Sequence, residues 1–256
     1  MAGAWTYKPG QGQVIFTTYW YGATDGYGPN GTLTPFSNRG RFRQIEAEAY
    51  LELGLTKRLT LVMDVPVGNL QYRDQKSAYS NEGFGDATVA ARLRLNHAVS
   101  PWAISGQFTA SVPGYKEPEN PAPGNYQNDF EGRFLLGRGF DIHEHHVFFD
   151  GEAAYRYRDG APADQLRGDV STGVDAFRGV QIVGQMFSIK GLRNGSPVGP
   201  NSNPNAQSDF DLYKAQGSLV IKVFRTSHLQ FGAGQTFAGR NTGRGATFVI
   251  GLWQRF

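Results

Sequence analysis

The chain has 256 residues, no cysteine and a formal net charge of +3, with 39% hydrophobic and only 18% charged residues. Disulfides and thiolate metal sites are thereby excluded. No basic tail suited to nucleic acid is present, and no run approaches the roughly 18 apolar residues of a membrane-crossing helix.

Period-two alternation dominates, and helix-period stretches are scarce. In chain order it predicts strands over residues 13–22, 42–55, 58–72, 84–96, 101–113, 127–140, 146–158, 164–177, 179–190, 209–224, 228–238 and 245–256. Each is close to the roughly 9–11 residues that cross a bilayer at a tilt. The second strand alternates most cleanly. Ile45, Ala47, Ala49, Leu51, Leu53 and Leu55 share one face, while Glu46, Glu48, Tyr50, Glu52 and Gly54 share the other. The same separation recurs in residues 86–95, where Ala87, Val89, Ala91, Leu93 and Leu95 oppose Thr88, Arg92 and Arg94. In the last strand, counting back from Phe256, Leu252, Ile250, Phe248 and Ala246 form an apolar face interrupted by Gln254.

The connections alternate in length. Short turns fall near 56–58, 96–100, 141–145, 177–179 and 225–227. Longer Gly/Pro/Asn-rich loops fall at 23–41, 73–83, 114–126 and 191–208, with shorter ones near 159–163 and 239–244. If both termini sit on one side, every short turn falls on that side and every longer loop on the other. Short periplasmic turns and longer external loops mark bacterial outer-membrane barrels. A soluble sandwich also alternates, but has no reason to sort its loops in this way.

The expected fold is therefore all-β. It is a transmembrane antiparallel up-and-down β-barrel of about 12 strands, a single domain over residues 1–256 in a bacterial outer membrane. Both termini are expected to be periplasmic, with residues 1–12 as a periplasmic N-terminal segment. Met1-Ala-Gly-Ala-Trp5 has neither a basic region nor an apolar core, so a secretion signal is either lacking or removed, and a mature chain with its signal removed is the expected reading. A terminal strand ending on Phe256 is expected to serve as the membrane-insertion signal, weakened by Gln254. The implied partners are outer-membrane lipids and lipopolysaccharide, and the barrel-insertion machinery during biogenesis.

Two neighbouring segments carry a resemblance. Leu59-Thr-Leu-Val-Met-Asp-Val-Pro-Val67 ends in Val-Pro-Val, and Asn81-Glu-Gly-Phe-Gly-Asp-Ala-Thr-Val-Ala-Ala-Arg-Leu-Arg-Leu95 opens an alternating strand with Gly-x-Gly-Asp. Together they resemble the family of outer-membrane β-barrel transporters associated with the meta-cleavage pathway of phenol degradation. The resemblance covers about a sixth of the chain, implies a transporter or channel, and assigns no ligand or catalytic residue.

Arg or Lys facing lipid costs around 2–4 kcal/mol at the midplane, so the charges on the polar strand faces are expected to point inward. The lumen-lining set is Glu46, Glu48, Glu52, Asp64, Asp86, Arg92, Arg94, Glu131, Arg133, Asp150, Glu152, Arg156, Arg167 and Asp169. Two arrangements compete: an acidic wall facing a basic wall across water, or cross-strand pairs that plug the lumen. The loops 114–126 and 191–208 can fold inward as a constriction, cap the barrel or form a recognition surface.

Other constellations are weaker. His143-Glu-His-His146 has metal-ligand types, but neighbours on a strand point to opposite faces, so solvated turn residues are expected. His97, His143, His145, His146 and His228 all fall in or beside predicted periplasmic turns, which argues against an outer-leaflet hydrolase. Gly232–Gly239 lacks the spacing of a nucleotide loop. Tyr19, Trp20, Trp102, Phe148, Phe149, Tyr155, Tyr157, Phe248 and Trp253 suit interfacial girdles or lumen packing. The expected function is passage of small solutes through a charge-lined lumen, with no cofactor and no enzymatic activity. A non-conducting structural or surface-interaction barrel is the first alternative, and an outer-membrane enzyme the second.

Overall fold

The computed structural model describes residues 3–97, 99–115, 120–124, 126–196 and 201–256. The strands are β1 (Gly12–Tyr27), β2 (Leu33–Pro35), β3 (Arg41–Gly54), β4 (Leu59–Arg73), β5 (Ala78–Phe84), β6 (Asp86–Arg94), β7 (Trp102–Pro113), β8 (Asp129–Ile142), β9 (His145–Arg158), β10 (Gln165–Phe177), β11 (Val180–Gly191), β12 (Asp211–Lys222), β13 (Ser227–Arg240) and β14 (Thr242–Arg255). Among the described residues the one helical element is a single 3-10 turn, Ser37–Arg39.

Each long strand pairs antiparallel with its neighbours, and β14 pairs back onto β1 from Gln13–Arg255 to Tyr27–Thr242. The result is a closed barrel of twelve strands. The short β2 pairs only with the far end of β1. β5 continues β6 past a register slip at Gly85 and pairs with the upper half of β4. Both termini and the turns after β3, β6, β8, β10 and β12 lie at one end, the turn end. The remaining connections lie at the other, the loop end.

Two connections differ from expectation. The predicted loop 73–83 is a hairpin in which Asp74 Oδ1 accepts the amides of Lys76 and Ser77, both at 2.7 Å. The predicted loop 239–244 contracts to Asn241, which takes a left-handed conformation (φ 49°) that Asn tolerates better than most residues. In both places the strands run on past the apolar band. Beyond lipid, alternation of apolar and polar residues is no longer required, so the period-two signal stops before the strand does.

Outside and inside are inverted relative to a water-soluble protein. On the outer face Phe16, Phe108, Phe134 and Phe248 are half or more exposed, and apolar side chains recur on every wall strand. On the inner face Glu52, Arg92, Glu131 and Asp150 are at most 4% exposed. A continuous apolar exterior of this extent requires a lipid solvent. Of the aromatic residues named above, Trp20, Trp102, Tyr155, Tyr157 and Phe248 lie on the outer face, whereas Tyr19, Phe148 and Trp253 line the interior.

Candidate functional site: a divided, charged lumen

Strict alternation along β3 and β4 places Glu46, Glu48, Glu52 and Asp64 on the inner wall. Glu52 is held by three donors: Gln13 Nε2 at 2.6 Å, Tyr50 OH at 2.8 Å and Arg92 Nη1 at 2.6 Å. Arg92 also donates to Gln107 Oε1 at 3.0 Å. Its pairing with Glu52 is a buried ion pair, with both side chains at most 2% exposed. Glu46 accepts from Gln44 Nε2 at 2.8 Å. Glu46 and Glu48 face a cavity that Lys214 of β12 also lines.

A second network spans β8, β9 and β10. Arg133 is its hub, bonding Glu131 at 2.8 Å, Asp169 at 2.6 Å and Glu152. Glu131 also receives Arg156 Nε at 3.0 Å and Arg167 Nη1 at 3.3 Å. Glu131 has two carboxylate oxygens and three arginines around it, so neighbouring strands are tied together through one residue.

The charged positions singled out from the sequence all fall on the inner face, but not as one surface. Asp86 lies at the loop end under Gly124, where an added Cβ would sit 2.2 Å from its carboxylate. Arg94 stays at the turn-end rim, donating to Asn96 Oδ1 at 2.5 Å and to the Trp102 carbonyl at 2.9 Å. Asp150 accepts the backbone amide of Ala4 at 2.8 Å.

That last bond reveals a feature the sequence reading missed. Residues 3–7 run along the inner wall at the turn end. Ser105 Oγ donates to the Ala4 carbonyl at 2.5 Å, Arg92 Nη1 to the Trp5 carbonyl at 3.3 Å, and Tyr7 N donates to Thr60 Oγ1 at 3.1 Å. Ala4 is fully buried beside Ala103 and Leu135. The Trp5 ring sits against Gly137, where a Cβ would come within 2.8 Å of it. No period-two signal marks a segment that enters the barrel through backbone contacts.

Two cavities occupy the lumen. One of about 1030 Å³ opens at the turn end and is lined by Trp5, Gln13, Glu52, Arg92, Asp150 and Arg255 among others. The second, about 500 Å³, lies towards the loop end and is lined by Tyr19, Glu46, Glu48, Arg133, Asp169 and Lys214 among others. Between them Ile15, Val183, Val220 and Trp253 pack together with Tyr50 and Phe148. This apolar septum was also missed. Its residues occupy inward positions where the neighbouring pattern is polar, and that break in alternation is the signal that could have found it. Gly173 leaves room for it, because a Cβ there would meet the Phe148 ring at 2.2 Å.

The loop end is covered by two interlocked segments. Asn201 Oδ1 accepts the Ala122 amide at 3.0 Å, and Asn203 Nδ2 donates to the Ala122 carbonyl at 2.8 Å. The Ser202 amide donates to Asn120 Oδ1 at 2.7 Å, and Tyr21 OH donates down to Asn205 at 3.3 Å. Residues 116–119, 125 and 197–200 of these loops lie outside the described residues.

The histidines gather at the turn end. His146 Nδ1 lies 2.8 Å from Asp141 Oδ1, and His145 Nδ1 lies 2.8 Å from the Asp175 carbonyl, so the two rings take different partners. Gln254 faces outward, accepting from Ser227 Oγ at 2.6 Å and donating to Thr226 Oγ1 at 2.8 Å. Phe256 exchanges backbone bonds with Gly12 at 3.0 and 3.1 Å, extending the seam between β1 and β14.

The architecture is that of an outer-membrane-type β-barrel with a polar, subdivided interior. No protein-family model and no curated protein matches the chain. By shape it is similar to an outer-membrane channel from Pseudomonas putida F1, with TM-score 0.68 and 14% identity over 100% of this chain and 99% of that one. It is also similar to the NanC porin, with TM-score 0.59 and 8% identity over 94% and 100%. A third likeness is to the translocator domain of the autotransporter NalP from Neisseria meningitidis, with TM-score 0.52 and 10% identity over 98% and 90%. At these identities the likeness establishes the fold.

Proposed function

We propose that the chain is an outer-membrane channel or transporter that passes small solutes through a charge-lined lumen, held here in a closed state. The observation that carries this reading is the interior itself. Charged and polar residues surround two cavities in a barrel of twelve strands, wider than the roughly eight-strand barrels that side chains alone fill. The turn end then faces the periplasm and the loop end the exterior. The apolar septum interrupts the path between the two cavities, the N-terminal segment narrows it from below, and the interlocked loops cover it from above. Full-length likeness to a bacterial outer-membrane channel supports the localisation and the class. Kinship with the barrels of phenol meta-cleavage pathways is proposed on the residue 59–67 and 81–95 segments alone. Phe256, fixed at the seam between β1 and β14, is suited to be read by the insertion machinery. In this reading the inner charges act on solute passage and not on covalent chemistry.

The extensive ion pairing favours the non-conducting barrel as the second reading. Single-channel recording in a planar bilayer separates the two. The full chain is expected to conduct in brief openings, and a chain shortened to begin at Gly10 to stay open longer. Absence of conductance from both, with the barrel shown to be folded by heat-dependent gel mobility, would leave the non-conducting reading.

A further inference from the structure

The outer wall carries arginines that passage through the lumen does not use. Arg41 and Arg43 of β3 and Arg73 of β4 are exposed and face outward, on the same side as Ile45 and Val67. The register sets Arg41 directly opposite Arg73, with Arg43 on the next outward row opposite Gln71. Directly opposed side chains of like charge lie about 4.5–5.5 Å apart at Cβ and destabilise a sheet. No ion pair among the described residues involves any of the three.

Nearby carboxylates are turned elsewhere. Asp74 closes its own hairpin through the amides of Lys76 and Ser77. Glu82 accepts from Asn69 Nδ2 at 3.3 Å. Asp25 accepts from the Thr24 hydroxyl at 2.9 Å and lies opposite Arg244 on β14. A like-charged pair flanked by a third guanidinium and left without acids is a site for an anion from outside the chain.

Its height says which anion. Trp20, Ile45 and Phe248 lie in register across β1, β3 and β14 and form the last apolar row of this sector. Tryptophan rings of this kind sit at headgroup level. At a rise of about 3.3 Å per residue, Arg43 lies roughly 7 Å and Arg41 roughly 13 Å further along the strand. The guanidinium groups therefore stand where lipid headgroup phosphates lie. The sector differs from that of β8, β9 and β10, whose outward positions near the loop end include Phe130, Tyr157 and Leu166, all exposed.

We infer that Arg41, Arg43 and Arg73 form a binding site for the phosphate groups of a multiply phosphorylated glycolipid of the outer leaflet. The planar guanidinium forks suit phosphate oxygens bidentately, and two rows of arginine match two phosphates better than one. The inference rests on the loop end facing outward, as in the proposed function, but not on conduction.

The test is native mass spectrometry of the full chain in neutral detergent with added lipid: bisphosphorylated lipid A, its dephosphorylated form, phosphatidylglycerol, or inorganic phosphate alone. Bisphosphorylated lipid A is expected to bind best. The variant Arg41→Gln/Arg43→Gln/Arg73→Gln is expected to lose about tenfold in that affinity. Arg138→Gln, which alters an outer arginine stacked 5.1 Å from the Trp102 ring centre at the turn end, should leave it unchanged. Equal binding by the triple variant, or equal binding of dephosphorylated lipid or phosphatidylglycerol, overturns the site. Should the triple variant fail the gel-mobility test of folding, Arg73→Gln alone carries the same comparison. Conductance of the same variants is read separately, so a barrel that binds lipid but never conducts would refute passage and leave the lipid site standing.

Discussion

Replacing Glu52 by alanine tests whether the lumen is as dry around the Glu52–Arg92 pair as its burial indicates. The substitution removes the acceptor for Gln13, Tyr50 and Arg92 together. It leaves the Arg92 guanidinium almost without solvent, with Gln107 and the Trp5 carbonyl as its remaining partners. Stranding one member of a buried ion pair costs about 3–5 kcal/mol. Each unsatisfied neutral donor can cost a further ~1–3 kcal/mol, offset where Gln13 and Tyr50 turn to one another. A net loss of about 3–5 kcal/mol is therefore expected. The assay is urea unfolding in lipid bilayers, followed by tryptophan fluorescence and checked by gel mobility. The double variant Glu52→Ala/Arg92→Met should recover at least half of the loss, because no charge is then stranded. If Glu52→Ala costs less than about 1 kcal/mol, the range of an exposed pair, water reaches Arg92 and the closed geometry does not describe the barrel in a membrane.

Three further outcomes follow from the same geometry. Trp253→Ala removes the largest member of the apolar septum, and single-channel conductance should rise about twofold or more if dewetting there limits passage; an unchanged conductance places the limiting constriction elsewhere. Glu46→Gln/Glu48→Gln removes two carboxylates from the loop-side cavity and should shift reversal potentials away from cation preference, with no shift meaning that ions bypass that wall. In the connection between β9 and β10, burial pushes the Asp164 carboxyl up, but the Arg158 amide, the Asn194 side chain and the Tyr155 hydroxyl together hold it below its ordinary value. That contribution is present above the unfolded value of about 3.9 and is lost as pH falls through the lower folded value. Cleavage of this loop by an acid protease should therefore increase as pH drops below about 4, and Asp164→Asn should abolish that pH dependence.

The wall of the barrel was legible because lipid outside and charge inside both enforce period two. Glu46, Glu48 and Glu52 could be placed from spacing alone, since a one-residue slip would turn them into the bilayer. Which charges pair was not legible, because pairing depends on register between strands distant in sequence, as with Arg92 reaching Glu52 or Arg133 reaching Asp169. The septum was hidden for a different reason. Ile15 and Val183 are ordinary strand residues, and only barrel closure brings them together with Val220 and Trp253. The N-terminal segment was least legible, since its hydrogen bonds to the wall run through its backbone, which is the same in every sequence, and the packing of Ala4 and Trp5 against the wall follows no strand period.

If the barrel conducts as proposed, that mode of attachment bears on how the turn end would open. Four bonds hold residues 4–7: Asp150 to the Ala4 amide, Ser105 to the Ala4 carbonyl, Arg92 to the Trp5 carbonyl and Thr60 to the Tyr7 amide. Two involve a charged partner, about 1.5–3 kcal/mol each, and two are neutral, about 0.5–1.5 kcal/mol each, for roughly 4–9 kcal/mol together. Fixing the backbone of four residues costs roughly 4–8 kcal/mol. These bonds roughly offset the backbone cost, so the packing of Ala4 against Ala103 and Leu135 and of the Trp5 ring against Gly137 supplies the net hold on the segment. Asp150→Ala removes one charge-assisted bond without touching the segment. It should therefore raise the ratio of open to closed time by roughly ten- to a hundredfold. The comparison is made by single-channel recording against the full chain and the chain beginning at Gly10. If Asp150→Ala gates like the full chain while the shortened chain stays open, the segment closes the barrel but Asp150 does not hold it. If all three gate alike, closure resides in the septum formed around Trp253.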